Sequence, residues 1–248
     1  MRRSISLIFA LLAAALGAAC YAPEARHTVF RQEWPASQVQ KVEVRGSNGR
    51  IEIEAAPVDR VMMEARVRSR DGKSVNPHEV LAVKLDGSTL TIRERGSRGT
   101  IFSFGRKGRS IDLKLLVPSR VEIDAETVNG RVVVDGMAAR MKLGSVNGRI
   151  EFSTPGAEVE ASTVNGSIRG EFHQRFIGAK LSTVNGSIGV EVPSDASLDL
   201  DIHQVNGSFR TDLPVVVEST GGRGSHGSLH GGEYPLEINT VNGSVRLR

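Results

Sequence analysis

Asp199, Asp201 and His203 alternate with Leu198, Leu200 and Ile202. In an extended strand, side chains two apart share a face at about 7 Å, a spacing an acid/base pair or a metal can use. His226 and His230 add two imidazoles, a favoured ligand for divalent metals, in a Gly-rich stretch. Glycine neighbours hold such ligands poorly, so no metal, cofactor or catalytic residue is expected. The plainer reading of 198–203 is the solvated face of an amphipathic strand. A second cluster is cationic: Arg93, Arg95, Arg98, Arg106, Lys107 and Arg109 stand against one acid, Glu94, with Ile101, Phe102 and Phe104 between them. Such a segment could grip an anionic polymer, whether lipopolysaccharide, acidic glycan or extracellular DNA. Its plainer reading is a hairpin that buries the Phe rings while arginines keep its edge soluble. No sequence-specific nucleic-acid reader is present.

Gly222-Arg-Gly224-Ser-His-Gly227 has the glycine spacing of a dinucleotide fingerprint, but that motif needs a helix opening behind it to hold the pyrophosphate. Gly231, Gly232 and Pro235 forbid a helix there. No Gly-x-Ser-x-Gly elbow, His-Glu-x-x-His or phosphate-binding loop occurs. The single Cys excludes an internal disulfide and a cysteine metal cluster. The sequence points away from an enzyme. The alternatives are a polysaccharide-active β-helix enzyme using Asp199, Asp201 and His203, or an envelope-stress signalling component.

Arg2 and Arg3, the apolar run from Ile5 to Leu16 and the small residues behind it read as a secretory signal over residues 1–19. The run is shorter than the roughly 20 residues a membrane span needs. Leu16-Gly17-Ala18-Ala19-Cys20 resembles the bacterial lipobox, with Gly17 where an aliphatic residue is usual. That resemblance makes Cys20 a lipid attachment point and residues 20–37 a tether. Tyr21, where Asp would retain the chain at the inner membrane, favours the outer one. Of the net charge of +4, two charges are Arg2 and Arg3, whereas residues 93–109 alone contribute +5. The basic balance therefore belongs to one segment and not to the body of the chain.

The elements come from the asparagines. Seven of the nine are followed by Gly: Asn48, Asn129, Asn147, Asn165, Asn185, Asn206 and Asn242. Chance would give about one such pair, so the repeat is imposed. From Asn129 the spacings are 18, 18, 20, 21 and 36, and His226-Gly227-Ser228-Leu229 divides the last as a substitute corner, for a period of about 19. Apolar residues recur six and four places before each Asn (Val159 and Ala161 before Asn165) and three places after it (Ile168). Alternation broken at Asn-Gly means two half-buried strands per repeat, joined at a sharp corner. Hairpins and a β-solenoid both fit. The valine before each Asn (Val128, Val146, Val164, Val184, Val205, Val241) suits a column inside a solenoid corner, so a parallel β-solenoid is expected. Asp86-Gly87 reads as a further corner, and the last strand, ending at Arg248, as an open edge guarded by Arg246 and Arg248.

The runs Leu113-Lys-Leu-Leu-Val-Pro118, Glu126-Thr-Val-Asn-Gly130, Ser162-Thr-Val-Asn-Gly-Ser-Ile168 and Val190-Glu-Val-Pro193 resemble the bacterial putative-adhesin family of unknown function. The resemblance covers residues 38–248, looser over 38–117 and regular over 118–248. It implies an all-β, right-handed parallel β-solenoid, toast-rack-like, with about 19 residues per coil. It further implies an exported, non-catalytic envelope protein whose partners are the membrane through its anchor and an anionic glycan or envelope protein. No ligand residue transfers with it.

Overall fold

The computed structural model describes residues 27–69, 75–95, 109–220 and 224–248. The signal segment, Cys20, Arg98, Arg106, Lys107 and the aromatics at 101–104 lie outside the described residues. In chain order the strands are β1 (His27–Pro35), β2 (Lys41–Arg45), β3 (Ile51–Ala55), β4 (Arg60–Ser69), β5 (Leu81–Asp86), β6 (Thr89–Glu94) and β7 (Arg109–Val117). The regular repeats follow as β8 (Glu122–Asn129), β9 (Val132–Asp135), β10 (Met141–Asn147), β11 (Ile150–Thr154), β12 (Val159–Asn165), β13 (Ile168–Phe172), β14 (Ala179–Asn185) and β15 (Ile188–Glu191). Last come β16 (Leu198–Asn206), β17 (Phe209–Thr211), β18 (Val216–Thr220), β19 (Gly224–Leu229), β20 (Tyr234–Asn242) and β21 (Val245–Leu247). Among the described residues, helix is confined to one 3-10 turn and the four-residue α1 (Pro77–Val80), capped by the Asn76 side chain.

Two sheets result, rich in parallel pairs. One has ten strands in the order β1-β4-β7-β3-β9-β11-β13-β15-β21-β17, the other eleven in the order β18-β19-β16-β20-β14-β12-β10-β8-β2-β6-β5. Each Asn-Gly pair carries the chain from the second sheet to the first, so one strand–corner–strand unit is one rung of a rack. Successive rungs align residue for residue, with Asn129, Asn147, Asn165 and Asn185 in register. Period-two alternation fixes the faces: Val159, Ala161 and Thr163 point inward from β12 while Glu160 and Ser162 do not. The core is the column of these inward residues from both sheets. Phe152, Phe172 and Phe176 pack within it edge to face, at 5.7 and 4.9 Å between ring centres. A Cβ on Gly170 would lie 2.1 Å from the Phe152 ring, so that glycine makes the room.

Chain order and rung order part at both ends. β6 and β7 flank the Asn48 rung on its outer side, with β8 and β9 returning to its inner side. At the far end the last rung, β20 with β21, inserts between the Asn185 rung and the Asn206 rung. Rungs therefore run Asn48, 129, 147, 165, 185, 242, 206. The final strand is not an open edge, because β21 is paired on both sides, and Arg246 and Arg248 guard nothing there. His226 does not turn a corner either. It lies within β19, antiparallel to β16, since Gly227 and Ser228 continue the strand. Asp86-Gly87 turns an antiparallel hairpin between β5 and β6, with Gly87 at φ +56°, and joins no two sheets. Within the stretch read as a tether, residues 27–35 form β1, an edge strand antiparallel to β4.

Candidate functional site

Apart from the Asn48 corner, where Gly46 and Ser47 precede the Asn, each corner is built from four consecutive residues with distinct duties. Two before the Asn, a hydroxyl residue points inward: Thr163 donates to the carbonyl of Gly148 at 3.2 Å and Thr183 to that of Gly166 at 3.2 Å. Ser145 does the same toward Gly130 at 3.4 Å. In the Asn206 rung Gln204 replaces the hydroxyl and its Nε2 donates to the Gly243 carbonyl at 2.5 Å, while in the Asn242 rung Thr240 Oγ1 is buried without a partner among the described residues. Because the inward hydroxyl extends the alternation by one step, the valine after it must face out. Val164, Val184, Val205 and Val241 are 42, 40, 46 and 39% exposed. The valine column is thus on the outside of the corner, not within it. The Thr or Ser that precedes every one of these valines except Val205, which follows Gln204, is the signal in the sequence that carries this.

The asparagines form a continuous ladder. Asn129 Nδ2 donates to Asn48 Oδ1 at 2.9 Å, and the pattern repeats through Asn147, Asn165, Asn185, Asn242 and Asn206 at 2.9–3.0 Å. Every amide points the same way, toward the Asn48 end. Beneath it each glycine N–H donates to the Asn carbonyl of the following rung, as from Gly148 to Asn165 at 3.0 Å. This approach explains the glycine: a Cβ on Gly148 would stand 1.7 Å from the carbonyl oxygen of Gly130. Beside the valines, Ser162, Ser182, Asn239 and His203 form a parallel polar row, and together they line a shallow groove of about 520 Å³.

The outer face of the eleven-stranded sheet carries charge in rungs of alternating sign. Lys180 pairs with Glu237 at 2.8 Å, Arg140 with Glu158 at 3.8 Å and Lys142 with Glu160 at 4.0 Å. The Lys180 ammonium and the Asn239 amide hold Glu237 below the ordinary carboxylate range, and Glu237 in turn raises Lys180. Arg45 clamps Asp124 through two nitrogens at 2.8 Å and reaches Glu126 at 3.4 Å.

Asp199, Asp201 and His203 share the outer face as expected, and β19 brings His226 alongside. His203 lies 3.3 Å from Asp201 and His226 3.5 Å from Asp199, both pairs open to solvent on a flat sheet. Among the described residues no three His, Cys, Asp or Glu side chains are placed to share a metal ion. The structure separates the described members of the cationic segment. Arg93 lies on the eleven-stranded sheet, 3.5 Å from Glu43; Arg95 Nε donates to the carbonyl of Leu81; Arg109 opens β7 in the other sheet.

No curated protein matches the chain. Among solved structures, a putative cell adhesion protein from Clostridium sporogenes ATCC 15579 is 10% identical, with a TM-score of 0.48 over 89% of this chain and 98% of its own. A putative adhesin from Bacteroides fragilis NCTC 9343 is 10% identical, with a TM-score of 0.40 over 89% and 97%. A putative lipid binding protein from Parabacteroides distasonis ATCC 8503 is 11% identical, with a TM-score of 0.27 over 89% and 96%. One family matches in sequence over residues 35–248, from the end of β1 through every corner to the last residue, and the chain belongs to it: the Toastrack DUF4097 family.

Proposed function

We propose that the chain is a non-enzymatic, adhesin-like protein of the cell envelope, exported by its first 19 residues and held at the outer membrane through lipid on Cys20. In this reading the rack is a right-handed solenoid of about 19 residues per coil, and its corner face binds an envelope polymer. The observation that carries it is the column Val164, Val184, Val241, Val205, exposed and in register beside the asparagine ladder. Aliphatic side chains in one row and amide or hydroxyl groups in the rows beside it complement a glycan, whose sugars offer C–H faces and hydroxyl edges. Many weak identical contacts along a chain add to useful avidity. The cations at 93, 95, 98, 106, 107 and 109, of which Arg93 and Arg109 lie on different sheets, would add only long-range attraction for an acidic glycan, and the envelope polymer is preferred over a protein partner because the face repeats.

The test replaces Val164, Val184, Val205 and Val241 together with Gln and measures retention on immobilised envelope polysaccharides. These side chains are exposed, so the variant should keep its far-UV circular dichroism. Loss of retention supports the reading; full retention by the folded variant overturns it. Export and anchoring are tested separately: Cys20→Ser should move the chain from the membrane to the soluble fraction. The Asp199–His226 and Asp201–His203 pairs lie on an open face, and no observation favours a second, catalytic reading.

A further inference from the structure

On the outer face of the ten-stranded sheet, register places four residues in one row across four adjacent strands: Arg169 on β13, Gly189 on β15, Arg246 on β21 and Arg210 on β17. They are scattered in sequence, and the insertion of the last rung is what brings Arg246 between Gly189 and Arg210. All three arginines are exposed. At a strand spacing of about 4.8 Å, Arg246 and Arg210 are immediate neighbours and Arg169 stands roughly 10 Å away across the glycine. Like charges directly opposite on paired strands destabilise a sheet unless something neutralises them.

Neutralisation from within the protein goes elsewhere. The carboxylates of the adjoining row on these strands are Glu171, Glu191 and Asp212. Arg248 takes Glu191 at 3.5 Å and Asp212 at 3.6 Å, and Glu171 makes no ion pair among the described residues. On β11, Glu151 stands directly opposite Arg169 in the register, but its carboxylate is held by Arg149 at 3.3 Å and Arg131 at 3.8 Å. Arg169, Arg210 and Arg246 are left without an acidic partner among the described residues. Cations elsewhere on the rack commonly pair with an acid on a neighbouring strand or two residues away on their own, as Lys180 does with Glu237 and Lys41 with Glu43, so this row stands apart.

The space between them is open and lined with donors. A Cβ added to Gly189 would meet nothing within 4 Å, so the glycine leaves a notch between Arg169 and Arg246. Two residues back, just before these strands begin, Ser187, Ser244 and Ser208 present a row of exposed hydroxyls. Guanidinium forks match the oxygens of a tetrahedral oxyanion, and three cations exceed what a single carboxylate can neutralise. We infer that the row Arg169–Gly189–Arg246–Arg210, with its flanking serines, binds a phosphate group, carried either by a lipid headgroup or by a free phosphate. The site is separate from the valine column and does not depend on the role proposed for it.

The test uses the mature chain with Cys20→Ser, the double variant Arg210→Gln/Arg246→Gln, and Gly189→Glu, which fills the notch with a competing carboxylate. Binding is read by titration calorimetry with inorganic phosphate and pyrophosphate at low salt, and by flotation with phosphatidylglycerol vesicles against phosphatidylcholine vesicles. Wild type should bind at least one phosphate probe, weaken as salt rises, and lose about tenfold or more in affinity in either variant. Calorimetric binding without flotation identifies free phosphate as the source. Flotation on phosphatidylglycerol alone identifies the headgroup. Failure of wild type to bind any phosphate probe, or unchanged binding in both folded variants, overturns the inference.

Discussion

Gly166→Ala should split the rack at its middle. Gly166 sits in the Asn165 corner, and a Cβ there would lie 1.8 Å from the carbonyl oxygen of Gly148, where real contacts begin near 3.0 Å. Gly166 is not among the residues with positive φ, so the whole penalty is steric and none is backbone strain. Relief requires the two rungs to part by about 1.2 Å at the corner. That stretches the bond from Gly148 N–H to the Asn165 carbonyl, 3.0 Å, and the amide contact from Asn165 to Asn147, also 3.0 Å. It also disturbs the bond from Thr163 Oγ1 to Gly148, 3.2 Å. Three bonds at about 1 kcal/mol each, with some core separation, give a loss of about 3–4 kcal/mol. For a chain of this size that lowers Tm by roughly 6–16 °C. The same exchange at Gly189, where a Cβ meets open space, should change stability by less than about 0.5 kcal/mol. Thermal unfolding by circular dichroism of the two variants, side by side with wild type, decides the matter. A Gly166→Ala shift no larger than that of Gly189→Ala would refute the view that corner glycines are required by close approach of neighbouring rungs.

Two inward threonines should respond oppositely to Val: Thr163→Val loses a hydrogen bond and about 1 kcal/mol, whereas Thr240→Val removes an unpartnered buried hydroxyl and raises stability by about 1 kcal/mol, both read as Tm. Glu237 is depressed chiefly by Lys180, so its contribution is present above the ordinary carboxylate pKa and lost as pH falls through the lower folded value. Lys180→Met should therefore flatten the fall of Tm on the acid side of that range, and curves parallel to wild type would exclude the coupling. Hydrogen exchange should find the amides of Val245 and Leu247, paired on both sides, as protected as Ile188 and far slower than Phe209 and Thr211 on the sheet edge. Fast exchange at 245–247 would mean the last rung is not inserted.

The strand–corner–strand unit was legible because two local signals coincide. The alternation at Val159, Ala161 and Ile168 fixes which faces are buried, and Asn165-Gly166 marks where alternation breaks. The outward valines are not legible as such because an isolated apolar residue beside a turn looks like core. Only the hydroxyl before it, Thr163 or Thr183, carries the information, since its inward bond to a neighbouring glycine carbonyl sets the parity. Alternation alone puts Asp199, Asp201 and His203 on one face, while the contribution of His226 depends on the antiparallel pairing of β16 with β19.

Rung order could not be read in the same way, and the reason is physical. The Asn206 and Asn242 units carry the same alternation and the same corner, so either would satisfy the backbone of the Asn185 rung. What selects between them lies outside the repeat. The β18–β19 hairpin pairs antiparallel with β16 and occupies its far side up to His203. A rung arriving after that hairpin cannot stack beyond β16 and finds its parallel partners only between β14 and β16. The turn that sends it back is His230-Gly231-Gly232, three consecutive residues at φ +49, +96 and +69°, a reversal that glycine makes cheap and His230 tolerates at one position. The returning rung then places Arg246 opposite Arg210, so the same topological choice that hides the order from the sequence also assembles the arginine row. Locking β18–β19 away from β16, for instance with Gly227→Pro in the strand that pairs on both sides, should free the far side of β16 and let the Asn206 and Asn242 rungs follow chain order. In that form Arg246 would leave the centre of the row, and phosphate binding and the protection of residues 245–247 should fall together. A variant that loses one and keeps the other would break the link between topology and site.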